Sequence, residues 1–557
     1  MMHEQPHTMS FESNSTEPSR SASSIASALI LAVAVLWCIY WFVHAWHYWE
    51  DDAYIHLEFA RSLAAGRGFS FNGHVVAGDT APLWVFLLEG MHTLIPDWLV
   101  AGKVLTILGA AFGLTGTYAF ARNLASSMKP PLPGAAVFPA AMVLLIVANP
   151  YSCYWIFSGM EPFAAAGLAF FAVLAATREA PSTKFFLTGC LLAGIAPLMR
   201  PEMIFLTALL ALPLLAQWSK LPSSPTSATK LGSFAAGLLL LCSPVTLWSL
   251  YSLHAFGHLL PNTNAAKRAA PADSVVQRLL SIYSLGLPLI LCGLLAGIIY
   301  LVLRPSNVRR SIQNAIASTF SRATEPAPDP HSLPLAGWIF ILWPSIAALF
   351  YIANHTYVQT RYILVTAPGL TIAIMALALE ASRRTGRVLY VASLAAAFAV
   401  SVVTVRPFIR NKGINCQVTD GFALFMRDHI PPDAPVAVYA IGQISFVSEH
   451  LIIDTGGITR PEVIPSIYSD ASMRTRWARS VGAQYEIIDH QPEPGAVVVY
   501  SANLPFEGWT LHTSRYATSA PTEIWKYAPS PQPSVKPNPV TSADTQTPNL
   551  QPRITNP

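Results

Sequence analysis

The chain reads as an α-helical, polytopic membrane protein with a small α/β domain after its last span. Of its 557 residues, 53% are hydrophobic and only 11% are charged, a balance typical of membrane bundles rather than soluble domains. About eleven apolar stretches, most of them near the ~20 residues that a bilayer requires, fill the region 24–405. Beyond residue 409 the composition turns polar. The net charge of +4 is small and spread over loops, so no nucleic-acid partner is implied. The six cysteines are scattered, four inside apolar stretches, and imply neither a disulfide framework nor a metal cluster.

Residues 1–23 are rich in Ser and Thr and read as a disordered cytoplasmic tail. The first span, 24–46, is too long for a signal-peptide core and reads as a retained anchor. Further spans are expected at 98–121, 133–150, 160–177, 185–199, 202–218, 231–253, 280–303, 334–353, 362–380 and 388–405. The stretch 81–95 carries Glu89 and His92, which are costly at the bilayer centre, and reads as a juxtamembrane or re-entrant helix inside a large first outer loop, 47–97. With the N-terminus inside, the even-numbered connections collect Arg122 and Lys129, Arg178 and Lys184, Lys220 and Lys230, Arg304 to Arg322, and Arg383 to Arg387. That is the positive-inside pattern.

The region 24–408 is thus a membrane domain. Residues 409–527, with strand-like runs at Val436–Tyr439, Leu451–Ile453 and Val497–Tyr500 and helical patterns at Thr419–His429 and Asp470–Ser480, form an extracytoplasmic α/β domain. The Pro-rich tail 528–557 reads as disordered.

The outer face gathers the chemistry. Asp51-Asp52-Ala53-Tyr54-Ile55 follows the first span, and Ile55, Phe59 and Leu63 recur at helical spacing opposite Glu58 and Arg61. An amphipathic helix lying in the membrane interface is expected, ended by Gly66 and Gly68. Its N-terminal dipole favours the charged form of the two acids. One of them could serve as a general base for a sugar hydroxyl, Asp51 being favoured slightly because it lies nearer the span. The plainer reading is that Asp51 caps the helix and Asp52 pairs with a loop cation.

A base implies an electrophile, and in a membrane enzyme a lipid-linked substrate with a phosphate leaving group is the natural one. Its departure calls for cations, for which Arg200, Lys267, Arg268 and Arg361 are the candidates. Local alternatives exist for each: Arg200 could pair with Glu202, Lys267 and Arg268 could be solvated, and Arg361 could snorkel to head groups. Glu161 beside Pro162 could be a favourable helix-start acid. Asp51, Asp52 and Glu161 are hard oxygen ligands that could hold a divalent cation, the one candidate cofactor. The run Asp454-Thr455-Gly456-Gly457 reads as a tight turn or as a wall of the site, the turn being favoured because Gly pairs serve positive φ.

The order of motifs resembles a known family. Asp51-Asp52-Ala53-Tyr54-Ile55, Gly66-Arg67-Gly68-Phe69, Phe71-Asn72-Gly73 and Gly78-Asp79-Thr80-Ala81-Pro82-Leu83-Trp84 look like the first outer loop of the GT-C glycosyltransferases. The likeness is in particular to the branch containing the mycobacterial terminal arabinofuranosyltransferase. Ser158-Gly159-Met160-Glu161, Arg200-Pro201-Glu202, Leu260-Pro261-Asn262-Thr263 with Lys267, Arg361-Tyr362 and Ile453-Asp454-Thr455-Gly456-Gly457 follow in the expected order.

The resemblance implies an inverting transferase of the bacterial inner membrane. It would move a sugar, arabinofuranose in that branch, from a polyprenyl phosphate to an envelope glycan or glycolipid acceptor outside the cytoplasm. Asp51 or Asp52 would be its catalytic acid, and Tyr54, Glu161, Arg200, Glu202, Asn262, Lys267 and Arg361 its substrate and phosphate contacts. Asp79 stands where relatives often carry an aromatic residue, and Pro162 where Thr is common. The rival classes are a lipid or glycan transporter or flippase, and a non-catalytic glycan-binding scaffold. Charges clustered at span ends and the lack of an internal repeat argue against the transporter.

Overall fold

A computed structural model describes residues 20–128, 131–132, 134–221, 227–269, 333–355, 362, 364–385, 387–467, 471–488, 495–502 and 522–527. The expected span 280–303, Arg361, residues 1–19 and the tail 528–557 lie outside these residues, while residues 20–23, expected in the disordered N-terminal tail, begin the first helix. The first helices are α1 (Arg20–His44), α2 (Asp51–Ala64), α3 (Pro82–His92), α4 (Trp98–Ser127), α5 (Phe138–Ala148), α6 (Pro150–Trp155) and α7 (Pro162–Ala176). They are followed by α8 (Thr183–Met199), α9 (Met203–Ser219), α10 (Ser227–Phe256), α11 (Asn262–Ala269), α12 (Leu335–Ala353), α13 (Ala367–Thr385) and α14 (Arg387–His429). Among the described residues four helices are long and apolar enough to cross a membrane: Ala22–His44, Trp98–Ser127, Thr229–Phe256 and Leu335–Ala353. Five shorter apolar helices, Phe138–Ala148, Pro162–Ala176, Thr183–Met199, Met203–Ser219 and Ala367–Glu380, fall on five more of the expected stretches.

Small residues let these helices approach closely, as apolar surroundings require where no hydrophobic force separates helix from lipid. On α4, Gly109, Gly113 and Gly116 face α7, and a methyl group at Gly113 would stand 2.2 Å from the Phe163 carbonyl oxygen. On α8, a methyl group at Gly194 would meet the Leu240 carbonyl of α10 at 2.2 Å.

The first outer loop folds inward. The expected interfacial helix α2 is instead buried nearly all round, Glu58 as well as Phe59, while Leu63 is half-exposed. Its polar face is covered because α15 (Ile441–Ser448) and α3 pack against it, and Glu58 is compensated by an ion pair to Arg61. A two-stranded hairpin follows, β1 (Ser70–Phe71) and β2 (His74–Val75). Asn72 and Gly73 occupy its turn with φ of 50° and 78°, the signature of a two-residue type I′ connection. Asn72 Nδ2 donates to the Ile452 carbonyl at 3.0 Å, so the hairpin is tied to the polar C-terminal region.

That region is a mixed five-stranded sheet in the order β4-β3-β5-β7-β6. The strands are β3 (Val436–Val438), β4 (Ile452–Asp454), β5 (Tyr485–Ile488), β6 (Val497–Ala502) and β7 (Thr522–Lys526). β3 pairs in parallel with β4 and β5, and β7 runs antiparallel between β5 and β6. The three expected strand runs are present as β3, β4 and β6. The expected helix at Thr419–His429 is the end of the 43-residue α14, which also contains the stretch 388–405, so no break separates membrane stretch from sheet at residue 409.

The α4–α7 contact predicts unequal glycine substitutions. Gly113→Ala pushes a methyl into backbone and should destabilise by ~1–3 kcal/mol, whereas Gly90→Ala in α3, where nothing lies within 4 Å, should be neutral or slightly stabilising. Melting temperatures of the two variants in detergent check this; equal loss in both would contradict the close approach.

Candidate functional site

Three turns of chain deliver the site. Ser158-Gly159-Met160-Glu161 joins α6 to α7, and Gly159 holds a φ of 92°. A side chain there would lie 2.4 Å from the Trp49 ring and 2.8 Å from Ala53, so only glycine lets this turn lie on α2. The Glu50 amide donates to the Ser158 carbonyl at 3.0 Å, and Lys103 of α4, 1% exposed, donates to the carbonyls of Tyr48 (2.6 Å) and Phe157 (2.5 Å). Lys103 also covers the Trp49 ring at 4.3 Å. The first outer loop and the Glu161 turn are thereby clamped to one helix.

The clamp brings a chain of buried charges together. His56 Nδ1 lies 2.5 Å from Asp79 Oδ2, and its Nε2 lies 3.4 Å from Glu161 Oε2. Arg200, between α8 and α9, donates from Nη1 to Glu161 at 2.6 Å and from Nη2 to Glu202 at 2.7 Å. Trp343 of α12 donates to the Glu202 carbonyl at 3.0 Å. Burial alone would discharge His56, but the hydrogen-bonded Asp79 carboxylate, and Glu161 beyond it, raise its pKa to about 10. Neither His56 nor Asp79 stands out in the sequence as a pair. The one available signal is that His56 follows Asp52 by four residues on the same helix, hence on the same face.

The two adjacent acids part company. Asp51 accepts from the backbone amides of Gly442 (3.2 Å) and Gln443 (2.8 Å) at the start of α15. It thus sits at a helix N-terminus belonging to the C-terminal region. The approach is close: a methyl at Gly442 would stand 1.9 Å from the Asp51 carbonyl oxygen. Gln443 in turn donates to the Cys416 carbonyl (3.0 Å) and to Asp420 (2.5 Å). Burial raises Asp51 to about 7, against the two amides that lower it. Asp52, half-buried, lies on the His56 face. The helix cap before them is Glu50, which accepts from the Tyr154 hydroxyl at 2.8 Å and lies 3.7 Å from Lys412. Asp51 is therefore a link between elements rather than a cap of its own helix.

Other expected contacts are redistributed. Arg200, expected on a phosphate, is 2% exposed and is held by two carboxylates; its local pairing with Glu202 is real, and Glu161 adds to it. Asn262 links segments: its amide donates to the Ala77 carbonyl (2.9 Å) and its side chain to the Ile458 carbonyl (3.1 Å). Tyr54 is buried between the Trp49 and Phe446 rings, at 5.4 and 5.6 Å. Lys267 of α11 is half-buried, with its ammonium 4.5 Å from the Tyr362 ring. Arg200 lies over the same ring at 5.5 Å. Among the described residues no carboxylate pairs with Lys267, and Arg268 is exposed. Asp454 accepts from the amides of Gly456 and Thr459, both at 2.6 Å, so its run is the expected tight turn. As for a divalent cation, Asp51 and Glu161 are directed at different partners, and no group of three ligating side chains is found among the described residues. The set Asp51, Asp52 and Glu161 does not fit one.

Residues 409–532 match a family model described as a domain of unknown function, DUF8728. No curated protein matches the chain. Among solved structures, ArnT from Cupriavidus metallidurans in the apo state is similar, with a TM-score of 0.50 and 13% identity over 90% of this chain and 98% of ArnT. The same protein bound to undecaprenyl phosphate gives a TM-score of 0.49 at 13% identity and the same coverage. The likeness to the apo structure is one of fold: it extends over nearly the whole length of both chains, and the described residues of this chain are mostly helical.

The charge on His56 predicts a pH signature. Its folded value of about 10 exceeds the ordinary 6.5, so its stabilisation is fully present below 6.5 and is lost as pH rises through about 10. The melting-temperature difference between wild type and His56→Gln should be largest in mild acid and shrink across that window. A difference that grows with pH would contradict a charged His56.

Proposed function

We propose that this protein is an inverting GT-C glycosyltransferase that takes a sugar from a polyprenyl phosphate and attaches it to an envelope glycan or glycolipid on the outer face of the bacterial inner membrane. The observation that carries the reading is the half-buried Asp52 on the face of α2 that meets the His56–Glu161–Arg200 chain, in a chain with the GT-C motif order and the fold of ArnT.

Asp52 takes the proton of the acceptor hydroxyl. The oxygen attacks the anomeric carbon from the face opposite the phosphate, the bond from that carbon to the phosphate oxygen breaks, and the lipid phosphate leaves with the electron pair. Lys267, stacked on Tyr362 and without a carboxylate partner among the described residues, is the cation best placed to meet that charge, with Arg361 as a second candidate from the motif. Glu161, Arg200 and Glu202 act one step back: they fix the turn beside α2 and the ring on which Lys267 rests. Asp51 and the C-terminal sheet hold the N-terminus of α2 in position. Arabinofuranose as the sugar, the eleven spans and the extracytoplasmic placement of residues 409–527 rest on the motif resemblance and on the distribution of basic residues.

Purified protein with a labelled polyprenyl-phosphate sugar and an acceptor extract tests the assignment. Asp52→Asn should lower transfer by at least ~100-fold, in the range of a lost general base, and Lys267→Ala should lower it ~10- to 100-fold. Asp51→Asn should retain measurable transfer. An inactive Asp51→Asn beside an active Asp52→Asn would reverse the roles, and no sugar release by wild type would overturn the enzyme reading.

A further inference from the structure

A pocket of about 300 Å³ opens between the hairpin, the end of α10 with the start of α11, and the segment after Asp454. Its walls include His74, Phe256, Asn262, Thr459, Arg460 and Glu462. None of these forms part of the charge chain. The volume sits at the low end of the roughly 300–1,000 Å³ of small-ligand sites, whose usual lining is an apolar wall with a few placed polar groups.

The polar groups here are balanced rather than cationic. Arg460 Nη1 lies 3.4 Å from Glu462, and its Nη2 lies 3.5 Å from His74 Nε2. A guanidinium can only donate, so that His74 nitrogen is an acceptor. His258, also on the wall, has Nδ1 2.7 Å from the Leu260 carbonyl, which can only accept, so Nδ1 carries a proton. Donors and acceptors thus share the wall with one aromatic ring, Phe256, and the Arg460 charge is matched by Glu462. That chemistry suits the hydroxyls and apolar face of a neutral sugar ring better than a phosphate.

Position names the source of the sugar. The pocket is walled by the hairpin and the C-terminal region, whereas the cation offered to the lipid phosphate, Lys267, lies five residues along α11 from Asn262, roughly 7–8 Å by helical rise. A molecule seated in the pocket therefore comes within reach of the reacting end without occupying it. We propose that this pocket holds a neutral sugar residue of the acceptor glycan, next to the one that reacts. This rests on the transferase reading for the word acceptor, but not for the binding itself.

Saturation-transfer NMR on the full-length Asp52→Asn protein in detergent, with a panel of methyl pentosides and methyl hexosides as probes, reads binding without turnover. At least one glycoside should bind, and Arg460→Ala or Phe256→Ala, each with an unchanged melting temperature, should weaken it about tenfold. Glu462→Gln, a milder change, should weaken it less. No binding by any glycoside, or binding unaffected by all three substitutions, overturns the site. In steady-state transfer by otherwise wild-type protein, Arg460→Ala should raise KM for acceptor about tenfold and leave kcat and the donor KM unchanged. A raised donor KM would overturn the acceptor assignment, while absent transfer with intact glycoside binding would remove the transferase reading and leave the sugar site standing.

Discussion

The buried guanidinium of Arg200 is the constraint on which the rest of the site depends. A cation 2% exposed is tolerable only if its charge is matched and its donors are used. Glu161 and Glu202 match the charge and accept from Nη1 and Nη2, leaving the buried Nε without a partner among the described residues. His56 adds a second cation beside Glu161, and is itself held charged by Asp79. Removing either cation, Arg200 or His56, leaves buried carboxylates uncompensated, a loss of ~3–5 kcal/mol. The chain of pairs crosses from α2 and the loop before α3, through the turn before α7, to the α8–α9 junction and, by way of Trp343, to α12. Segments far apart in sequence are thus held in one geometry by electrostatics rather than by apolar packing alone.

Around that chain the adjacent acids are separated by simple helix geometry. Successive side chains diverge by about 100°, so Asp51 and Asp52 leave the helix in different directions. Asp51 meets the amides at the start of α15 and couples the sheet region to the first outer loop. Asp52 is left on the His56 face. In the proposed mechanism Asp51 positions and Asp52 is the base, and movement of the sheet region would reach that base through a single helix turn.

Several motifs acquire physical reasons. Asn72-Gly73 is a type I′ turn that carries the hairpin to the sheet. Gly159 is needed because Trp49 and Ala53 leave no room for a side chain. The departure at Asp79 is compensated locally by His56. By contrast, nothing in the residues themselves marks Lys103 as the clamp between Tyr48 and Phe157, because its partners are backbone carbonyls more than fifty residues away. β5 and β7 also escape notice: β7 lies at the end of the polar region, and both owe their pairing to neighbours distant in sequence.

The amino-acid sequence by itself determined the apolar helices, the turns and the set of charged residues, because these follow from local composition, hydrophobic period and the backbone freedom of Gly and Asn. It also determined the order of motifs on which the family resemblance stands. Only the tertiary structure decided which charges meet. It turned the expected interfacial helix α2 into a buried one, took Arg200 away from a phosphate and gave it to Glu161 and Glu202, and separated Asp51 from Asp52. The reason is that the energy of a charge depends on what surrounds it at a few ångströms, and for Arg200, His56 and Asp51 those surroundings come from segments up to about four hundred residues apart.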